Sequence, residues 1–184
     1  MKKAIIILSI IFLAVAFGVF VYFVIFGSGT YTTESINNYH DFHSHGENGI
    51  KSELLIFPKS ISNTKSNTEY YYSFSDTFLD TSLQIYLSCK YTDEEFNNEL
   101  NRIKSLKYED ESIKLDEKNF NLPAYASRLG YDCTSEYALI DKANNRITYI
   151  YLQFAKKEDI HFNKDYLPYN YKTYGECNSS YTLY

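Results

Sequence analysis

Residues 82–107 read SLQIYLSCKYTDEEFNNELNRIKSLK, and within this stretch the spacing of apolar residues changes abruptly. The first part is apolar at every second position: Leu83, Ile85, Leu87, Cys89 and Tyr91. This alternation predicts a strand with one face on a core and one face in water. The second part is apolar every three or four positions: Phe96, Leu100, Ile103 and Leu106. It predicts an amphipathic helix over residues 93–107.

Thr92 and Glu95 mark where this helix begins. Their spacing is that of a capping box, in which the threonine hydroxyl accepts a hydrogen bond from the Glu95 amide and the glutamate side chain accepts from the Thr92 amide. Acidic residues in the first turn also suit the positive end of the helix dipole. The stretch therefore predicts a strand followed directly by a helix.

Further strand-like runs lie on both sides of this unit, at residues 54–57, 69–75, 112–115, 136–140 and 147–154. The last two flank the turn residues 141–145 and predict a hairpin, whose second strand is apolar on both faces and therefore central. Residues 122–125 are typical of a turn or a sheet edge. The order is about βββαβββ, which predicts an α+β domain: a mostly antiparallel sheet with one amphipathic helix packed on one face.

An uncharged apolar run extends from residue 4 to residue 26, after Lys2 and Lys3. As a helix it would span about 34 Å, enough to cross a hydrocarbon core of about 30 Å. This length favours an uncleaved membrane anchor. A cleaved signal peptide and a buried core helix are the alternatives.

The basic residues predict the orientation of this anchor. Lys2 and Lys3 precede it, and the next basic residue is Lys51, so the positive-inside rule places the N-terminus in the cytoplasm and the rest outside the cell membrane. The predicted organisation is a cytoplasmic segment 1–3, a signal-anchor helix 4–26, a polar stalk 27–50 and an external domain 51–184 with a Tyr-rich tail.

The charge of the external part excludes some partners. Of 18 basic residues, Lys2 and Lys3 belong to the anchor, which leaves 16 against 23 acidic residues and a formal charge of −7. This balance argues against nucleic acid and against docking on an anionic bilayer. The predicted partners are the lipid bilayer, through residues 4–26, and another protein.

Three cysteines are present, at positions 89, 133 and 177. One disulfide with one remaining thiol is compatible with this number, and spacing leaves all three pairings open. Cys89 lies on the apolar face of its strand and is predicted to be a buried thiol.

The one cluster of residues suited to metal chemistry consists of His40, Asp41, His43, His45 and Glu47. Imidazole nitrogens and carboxylate oxygens both suit Zn²⁺. Residues 41–45 also resemble the D-x-H-x-H element of metal-dependent amidohydrolases and PHP-type phosphoesterases, which implies a metal-dependent hydrolase as one alternative. Solvated stalk histidines and a structural metal are the others. No catalytic residue and no cofactor is predicted.

Tyrosine is abundant, with 20 residues, whereas tryptophan is absent. Exposed tyrosines at residues 70–72 and in the tail would form a surface for envelope glycan or for a protein. Alternatively, they fill the core in place of other aromatic residues.

Six short strings resemble a family of uncharacterised single-pass membrane-anchored proteins of low-GC Gram-positive bacteria. They are His45-Gly46-Glu47, Leu55-Ile56-Phe57-Pro58, Tyr70-Tyr71-Tyr72, Gln84-Ile85-Tyr86-Leu87, the segment from Tyr91 to Glu95, and Tyr149-Ile150-Tyr151-Leu152. The resemblance covers most of residues 45–168 and implies no activity. The sequence as a whole predicts a membrane-anchored module for binding, sensing or structure that acts through protein contacts.

Overall fold

Two long helices and nine strands make up the described part of the chain. The computed structural model describes residues 2–26, 29–43, 54–61, 67–76, 81–108, 110–131 and 133–171. The helices are α1 (Lys2–Phe26) and α2 (Asp93–Ser105). The strands are β1 (Gly29–Thr33), β2 (Glu69–Asp76), β3 (Thr81–Lys90), β4 (Lys107–Tyr108), β5 (Glu111–Ser112), β6 (Lys114–Asp116), β7 (Ala124–Tyr131), β8 (Thr134–Asp141) and β9 (Arg146–Gln153). Short 3-10 helices cover Ile36–His43, Lys157–Asp159 and Lys164–Tyr166. The predicted α+β class is confirmed.

α1 is apolar throughout and does not pack into the domain. Its segment Ile5–Tyr22 has a mean hydropathy of 2.9 and is 0% buried. Its 25 residues span about 37 Å, more than the hydrocarbon thickness of a bilayer. Within the described residues, α1 is the single helix long and apolar enough to cross a membrane. A buried core helix does not fit this exposure.

Seven strands form one antiparallel sheet in the order β1-β2-β3-β9-β8-β7-β6, and β4 and β5 pair separately. β9 lies in the middle, between β3 and β8, as its apolar faces predict. The predicted hairpin joins β8 to β9. In its turn, Asn145 adopts the left-handed conformation with φ of 50°, and Asp141 Oδ1 accepts from the Asn144 amide at 3.2 Å.

α2 begins at the predicted capping box. Thr92 Oγ1 accepts from the Glu95 amide at 3.3 Å, and Glu95 Oε2 accepts from the Thr92 amide at 3.0 Å. The helix buries Phe96, Leu100 and Ile103 against the sheet. The helix predicted over residues 93–107 is therefore confirmed, and it ends two residues earlier.

One face of the sheet, here called the helix face, is covered by α2 and by residues 54–58. The apolar residues that β3 presents to it are those of its predicted core face: Leu83, Ile85, Leu87 and Cys89. Tyr149 of β9 and Phe57 pack into the same core, with ring centroids 5.6 Å apart.

The opposite face, here called the tail face, is covered by residues 155–171. The prediction that this face of β3 is wet is wrong, because Gln84 is 4% exposed and Tyr86 is 8% exposed. Gln84 Nε2 donates to the Asp159 carbonyl at 2.8 Å, and the Tyr86 ring stacks on Phe162 at 5.3 Å between centroids. The covering segment has no regular spacing of apolar residues, so the sequence pattern does not predict that it covers this face.

The predicted polar stalk, residues 27–50, is corrected for the residues that the structure describes. Residues 29–33 form β1, which pairs with β2 along its whole length. The following 3-10 helix buries Tyr39, whose ring lies 5.8 Å from that of Tyr70. Asn38 Nδ2 donates to Tyr31 Oη at 3.0 Å. These contacts hold an otherwise polar segment against the sheet. The domain therefore begins at Gly29.

Residues 54–57 pack against the core, with Ile56 and Phe57 buried and Leu54 and Leu55 half-buried, but they are not the predicted strand. Ile56 is 0% exposed and Phe57 3% exposed, and the backbone follows a series of bends. A segment without ladder partners has polar backbone groups to satisfy. Side chains satisfy them here, as described below.

The region between α2 and the β8–β9 hairpin is the least well predicted. The weak strand at residues 112–115 lies at β5 and β6, and the turn or edge at 122–125 is the start of the eight-residue strand β7. β7 carries two register shifts against β8, which interrupt its alternation of apolar and polar residues.

Cys89 is a buried thiol outside any disulfide, which confirms its prediction. Cys133 is disulfide-bonded and has a left-handed backbone with φ of 56°. Cys177 lies outside the described residues.

Candidate functional site

The most unusual side chain in the described domain is Glu136, a carboxylate in the core. It lies on β8 and is 4% exposed. Its Oε1 accepts from the Ile56 amide at 2.7 Å, and its Oε2 accepts from Ser127 Oγ at 2.7 Å. A buried carboxylate requires such partners, since an unsatisfied one is strongly destabilising.

A β-bulge in β7 brings Ser127 to this carboxylate. Ala126 pairs with Tyr137 and Arg128 pairs with Glu136, so two residues of β7 oppose one residue of β8. The extra residue is Ser127. Bulges redirect side chains and are frequent beside functional sites. In this bulge, Ser127 is 3% exposed and its hydroxyl turns to Glu136.

Burial raises the pKa of Glu136 above that of an ordinary carboxyl group. The hydrogen bonds from the Ile56 amide and Ser127, and the positive charge of Arg128, act in the opposite direction without cancelling the effect. Arg128 itself lies over the Tyr108 ring, with Cζ 4.9 Å from the centroid. Its Nε is buried and lacks a hydrogen-bond partner within the described residues. The glutamate is therefore held in a low-dielectric environment with a cation nearby.

A cavity of about 60 Å³ adjoins this site beside β6, the last strand of the sheet order. It is lined by Tyr108, Glu111, Ser112, Ile113, Lys114, Ala126 and Ser127. Ser127 thus lies between the cavity and the buried carboxylate. Pockets for organic ligands are usually about 300–1,000 Å³, so this cavity has room for a few water molecules but not for a substrate.

A second polar cluster lies between α2 and β9. Tyr149 Oη donates to Glu99 Oε1 at 2.6 Å and lies 2.8 Å from Tyr91 Oη. Glu99 also binds Arg102 through two hydrogen bonds, at 2.7 and 2.9 Å. Burial is the main cause that raises the pKa of Tyr149. The tyrosine is therefore a neutral hydrogen-bond donor rather than a base.

Both clusters end on the same short piece of backbone, residues 54–58. Arg102 Nη2 donates to the Ile56 carbonyl at 2.5 Å, whereas Glu136 holds the Ile56 amide. Tyr39 Oη donates to the Pro58 carbonyl at 2.5 Å. These contacts replace the ladder partners that a strand would have. Glu136, Arg102 and Tyr39 thus hold the loop at residues 54–58 in the core.

The structure places the predicted metal residues only in part. His40, Asp41 and His43 belong to the 3-10 helix Ile36–His43. His45 and Glu47 lie outside the described residues. Within the part of the chain that the structure describes, no three His, Cys, Asp or Glu residues form a group suited to a metal ion. The five-residue metal site stays a prediction.

The predicted tyrosine surface is mostly core. Tyr70 is 6% exposed and Tyr72 is 0% exposed. Tyr71 is half-buried and stacks on His161, with 4.8 Å between ring centroids. Of the described tail residues, Tyr169 is the large aromatic side chain that stays open, at 65% exposure. Within the described parts of these two segments, little aromatic area is left for stacking on sugar rings.

Comparison with family models, curated proteins and solved structures gives no match to this chain. The resemblance to single-pass membrane-anchored proteins of low-GC Gram-positive bacteria therefore stays a prediction.

Sequence reasoning did not identify Glu136 as a site residue, although one signal pointed to it. Glu136 is the single charged residue within the run Thr134 to Ile140, and a charge inside a predicted core strand is unusual. The partners were not predictable, because Ile56 is 80 residues away and Ser127 acts through a bulge.

Proposed function

We propose that this chain is a single-pass membrane protein whose external α+β domain is a binding or structural module that acts through protein contacts. α1 supplies the anchor, and Lys2 and Lys3 before it favour a cytoplasmic N-terminus. In this arrangement, the domain that begins at Gly29 lies outside the cell membrane.

The disulfide at Cys133 supports this orientation. Disulfides persist in oxidising compartments and are rare in the cytosol. Maleimide labelling of the denatured protein from rapidly acidified cells should modify one cysteine without reduction and three after reduction. Three reactive thiols before reduction would contradict an external domain.

The observation that carries the proposed role is that the buried polar groups hold part of the fold in place. Glu136 and Glu99 are both engaged in hydrogen bonds that hold residues 54–58, directly or through Arg102. The adjoining cavity of about 60 Å³ is too small for a substrate. These groups stabilise the fold, which leaves the surface for function.

The open side of β1 is the surface that we assign to a partner. β1 is the first strand of the sheet order, and among the described residues β2 is its single neighbour in the sheet. Thr30 and Thr32 are exposed on it. Edge strands bind extended segments of other proteins by strand addition through the main chain.

Site-specific photo-crosslinking in intact cells tests this role. A photoreactive amino acid at Thr32 should give an adduct of defined mass with a second polypeptide. The same probe at Lys142, an exposed residue in the turn between β8 and β9, is the matched control. Adducts at neither position, or equal adducts at both, would contradict strand addition at β1.

Metal analysis separates this role from the predicted hydrolase. The full-length protein should contain zinc well below one equivalent. Stoichiometric zinc that is lost in the double variant His43→Ala, His45→Ala would overturn the proposal in favour of metal-dependent hydrolysis.

A further inference from the structure

The end of the sheet at which β1 starts is tied closely to the membrane helix. α1 ends at Phe26 and β1 begins at Gly29. Three peptide units connect these two Cα atoms, and a fully extended chain of that length spans at most about 11 Å. Since the apolar run continues to Phe26, a helix that spans the bilayer with this run places Gly29 close to the headgroups.

The strand register shows which other residues lie at the same end of the sheet as Gly29. Gly29 pairs with Asp76, and Asp76 pairs with Thr81. Two residues along β3, Leu83 pairs with Gln153, which in turn pairs with Thr134. One end of the sheet, here called the anchor end, therefore includes the start of β1, the end of β2, the start of β3, the end of β9 and the start of β8.

The opposite end, here called the far end, contains the start of α2 and the β8–β9 turn. The Tyr91 amide donates to the Asn145 carbonyl at 2.9 Å, which joins the two. Since β9 has eight residues that rise about 3.3 Å each, the two ends are about 25 Å apart.

Both ends of the sheet carry charges of both signs. The far end exposes the acids Asp93, Glu94 and Glu95 in the first turn of α2, together with the basic residues Lys90 and Lys142. At the anchor end, β2 ends at Asp76, and β9 is followed by two lysines and two acids at residues 156–159. The net charge therefore does not decide the orientation, which rests on the short connection between α1 and β1.

Among the described residues, the sheet faces expose no broad apolar area that would hold the domain flat on lipid. Outside α1, the large apolar side chains that are exposed in the described residues are Leu115, at 45%, and Tyr169, at 65%. They lie far apart in the sequence and belong to different elements. A domain that lies on a bilayer needs a broad apolar face.

We propose that the anchor end of the sheet rests on the lipid headgroups and that the far end points away from the membrane. This inference rests on the proposed membrane anchoring by α1. It is compatible with the formal charge of −7 that remains when Lys2 and Lys3 are left out, because a covalent tether holds the domain at the surface without electrostatic attraction. The open side of β1 then rises from the bilayer, where a membrane-bound partner reaches it.

The absence of tryptophan from the chain makes a direct test possible. Full-length protein with one introduced tryptophan is reconstituted in vesicles of phosphatidylcholine and phosphatidylglycerol, with a nitroxide on a fraction of the headgroups. Glu158→Trp reports on the anchor end and Asn144→Trp on the far end. Both positions are exposed and both lie beyond an end of β9, so they differ mainly in height.

Headgroup nitroxide should quench the Glu158→Trp fluorescence at least twofold more than the Asn144→Trp fluorescence. Equal quenching would indicate a domain that lies flat, and stronger quenching at Asn144 an inverted one. Either result would overturn the inference. Phe12→Trp in α1, probed with an acyl-chain nitroxide, reports on the anchor separately. If it is not quenched, the helix is not inserted, and the proposed function fails together with this inference.

Discussion

The two faces of the sheet are equally buried but are covered by different means. On the helix face, α2 supplies a regular apolar stripe, and charged side chains fasten the loop at residues 54–58. On the tail face, residues 155–171 have no long helix or strand, and aromatic stacking with backbone hydrogen bonds holds them in place. One face therefore depends on a regular helix and on charged side chains, and the other on aromatic packing.

This contrast shows how a chain with one helix in its domain and no tryptophan buries both sides of its sheet. The single predicted helix covers one face only, so an irregular segment must cover the second. Tyrosine suits that task, because its ring buries a large area and its hydroxyl bonds to nearby backbone. Tyr137 shows this: it is 0% exposed and donates to the Tyr166 carbonyl at 3.0 Å.

The largest expected effect tests whether both cores are equally well packed. Leu87 on the helix face and Leu139 on the tail face are 0% and 1% exposed. Leu87→Ala and Leu139→Ala should each lower the free energy of unfolding by about 3 kcal/mol, through lost burial and the remaining cavity. Guanidinium denaturation of the full-length protein in mild detergent, followed by near-UV circular dichroism, measures this.

Leu115→Ala is the control for this pair, because Leu115 is 45% exposed, and it should change stability by less than about 0.5 kcal/mol. A loss at Leu139 that is no larger than at Leu115 would show that the tail covers its face only loosely.

A smaller effect is expected where the helix face depends on charge. Arg102→Ala removes both hydrogen bonds to Glu99 and the bond to the Ile56 carbonyl. It should lower the free energy of unfolding by about 2 kcal/mol, since the partly buried Glu99 carboxylate loses its ion-pair partner and the buried Ile56 carbonyl loses this donor. The same denaturation experiment applies.

Arg102→Lys is the conservative control. Lysine keeps the charge but cannot form the two parallel bonds to Glu99, so it should recover only part of the loss. Full recovery would show that charge alone, without the bidentate geometry, holds residues 54–58.

The pH dependence of stability tests the buried carboxylate. The pKa of Glu136 is raised, mainly by burial, so the folded state holds its proton at a pH where the unfolded chain has lost it. Its contribution to the free energy of unfolding therefore falls as the pH rises from the ordinary carboxyl pKa through the raised one. Glu136→Gln has no proton to lose, so its stability relative to wild type should increase over this range and then level off.

Asp116 is the matched control with the opposite sign. Burial acts to raise its pKa, but hydrogen bonds from Lys118 and Asn119 lower it overall. Asp116→Asn should therefore lose stability relative to wild type as the pH rises through the ordinary carboxyl range. A pH-independent difference for Glu136→Gln would contradict the raised pKa.

The sequence predicts those parts of this fold that depend on local pattern. The strand β3, the capping box of α2 and the turn of the β8–β9 hairpin depend on neighbours within a few residues, and all three are confirmed. β1 was mistaken for stalk because Gly29 to Thr33 is mostly polar and pairs with residues 39 to 47 positions away. Residues 54–57 carried a correct burial signal, but their backbone conformation depends on Glu136 and Arg102. Contacts between residues so far apart in the sequence produce no periodic pattern from which they could be predicted.

The smallest expected effect concerns the rim of the tail face, where Tyr71 and His161 stack with centroids 4.8 Å apart. His161 is exposed, so its replacement by alanine should cost little alone. A double-mutant cycle of Tyr71→Ala and His161→Ala should give a coupling of about 0.5–1 kcal/mol, the range for stacked aromatic pairs. Coupling near zero would confine aromatic stabilisation of the tail to its buried pairs, such as Tyr86 with Phe162. A coupling well above this range would show that the exposed rim, rather than the interior, fixes residues 155–171 to the sheet.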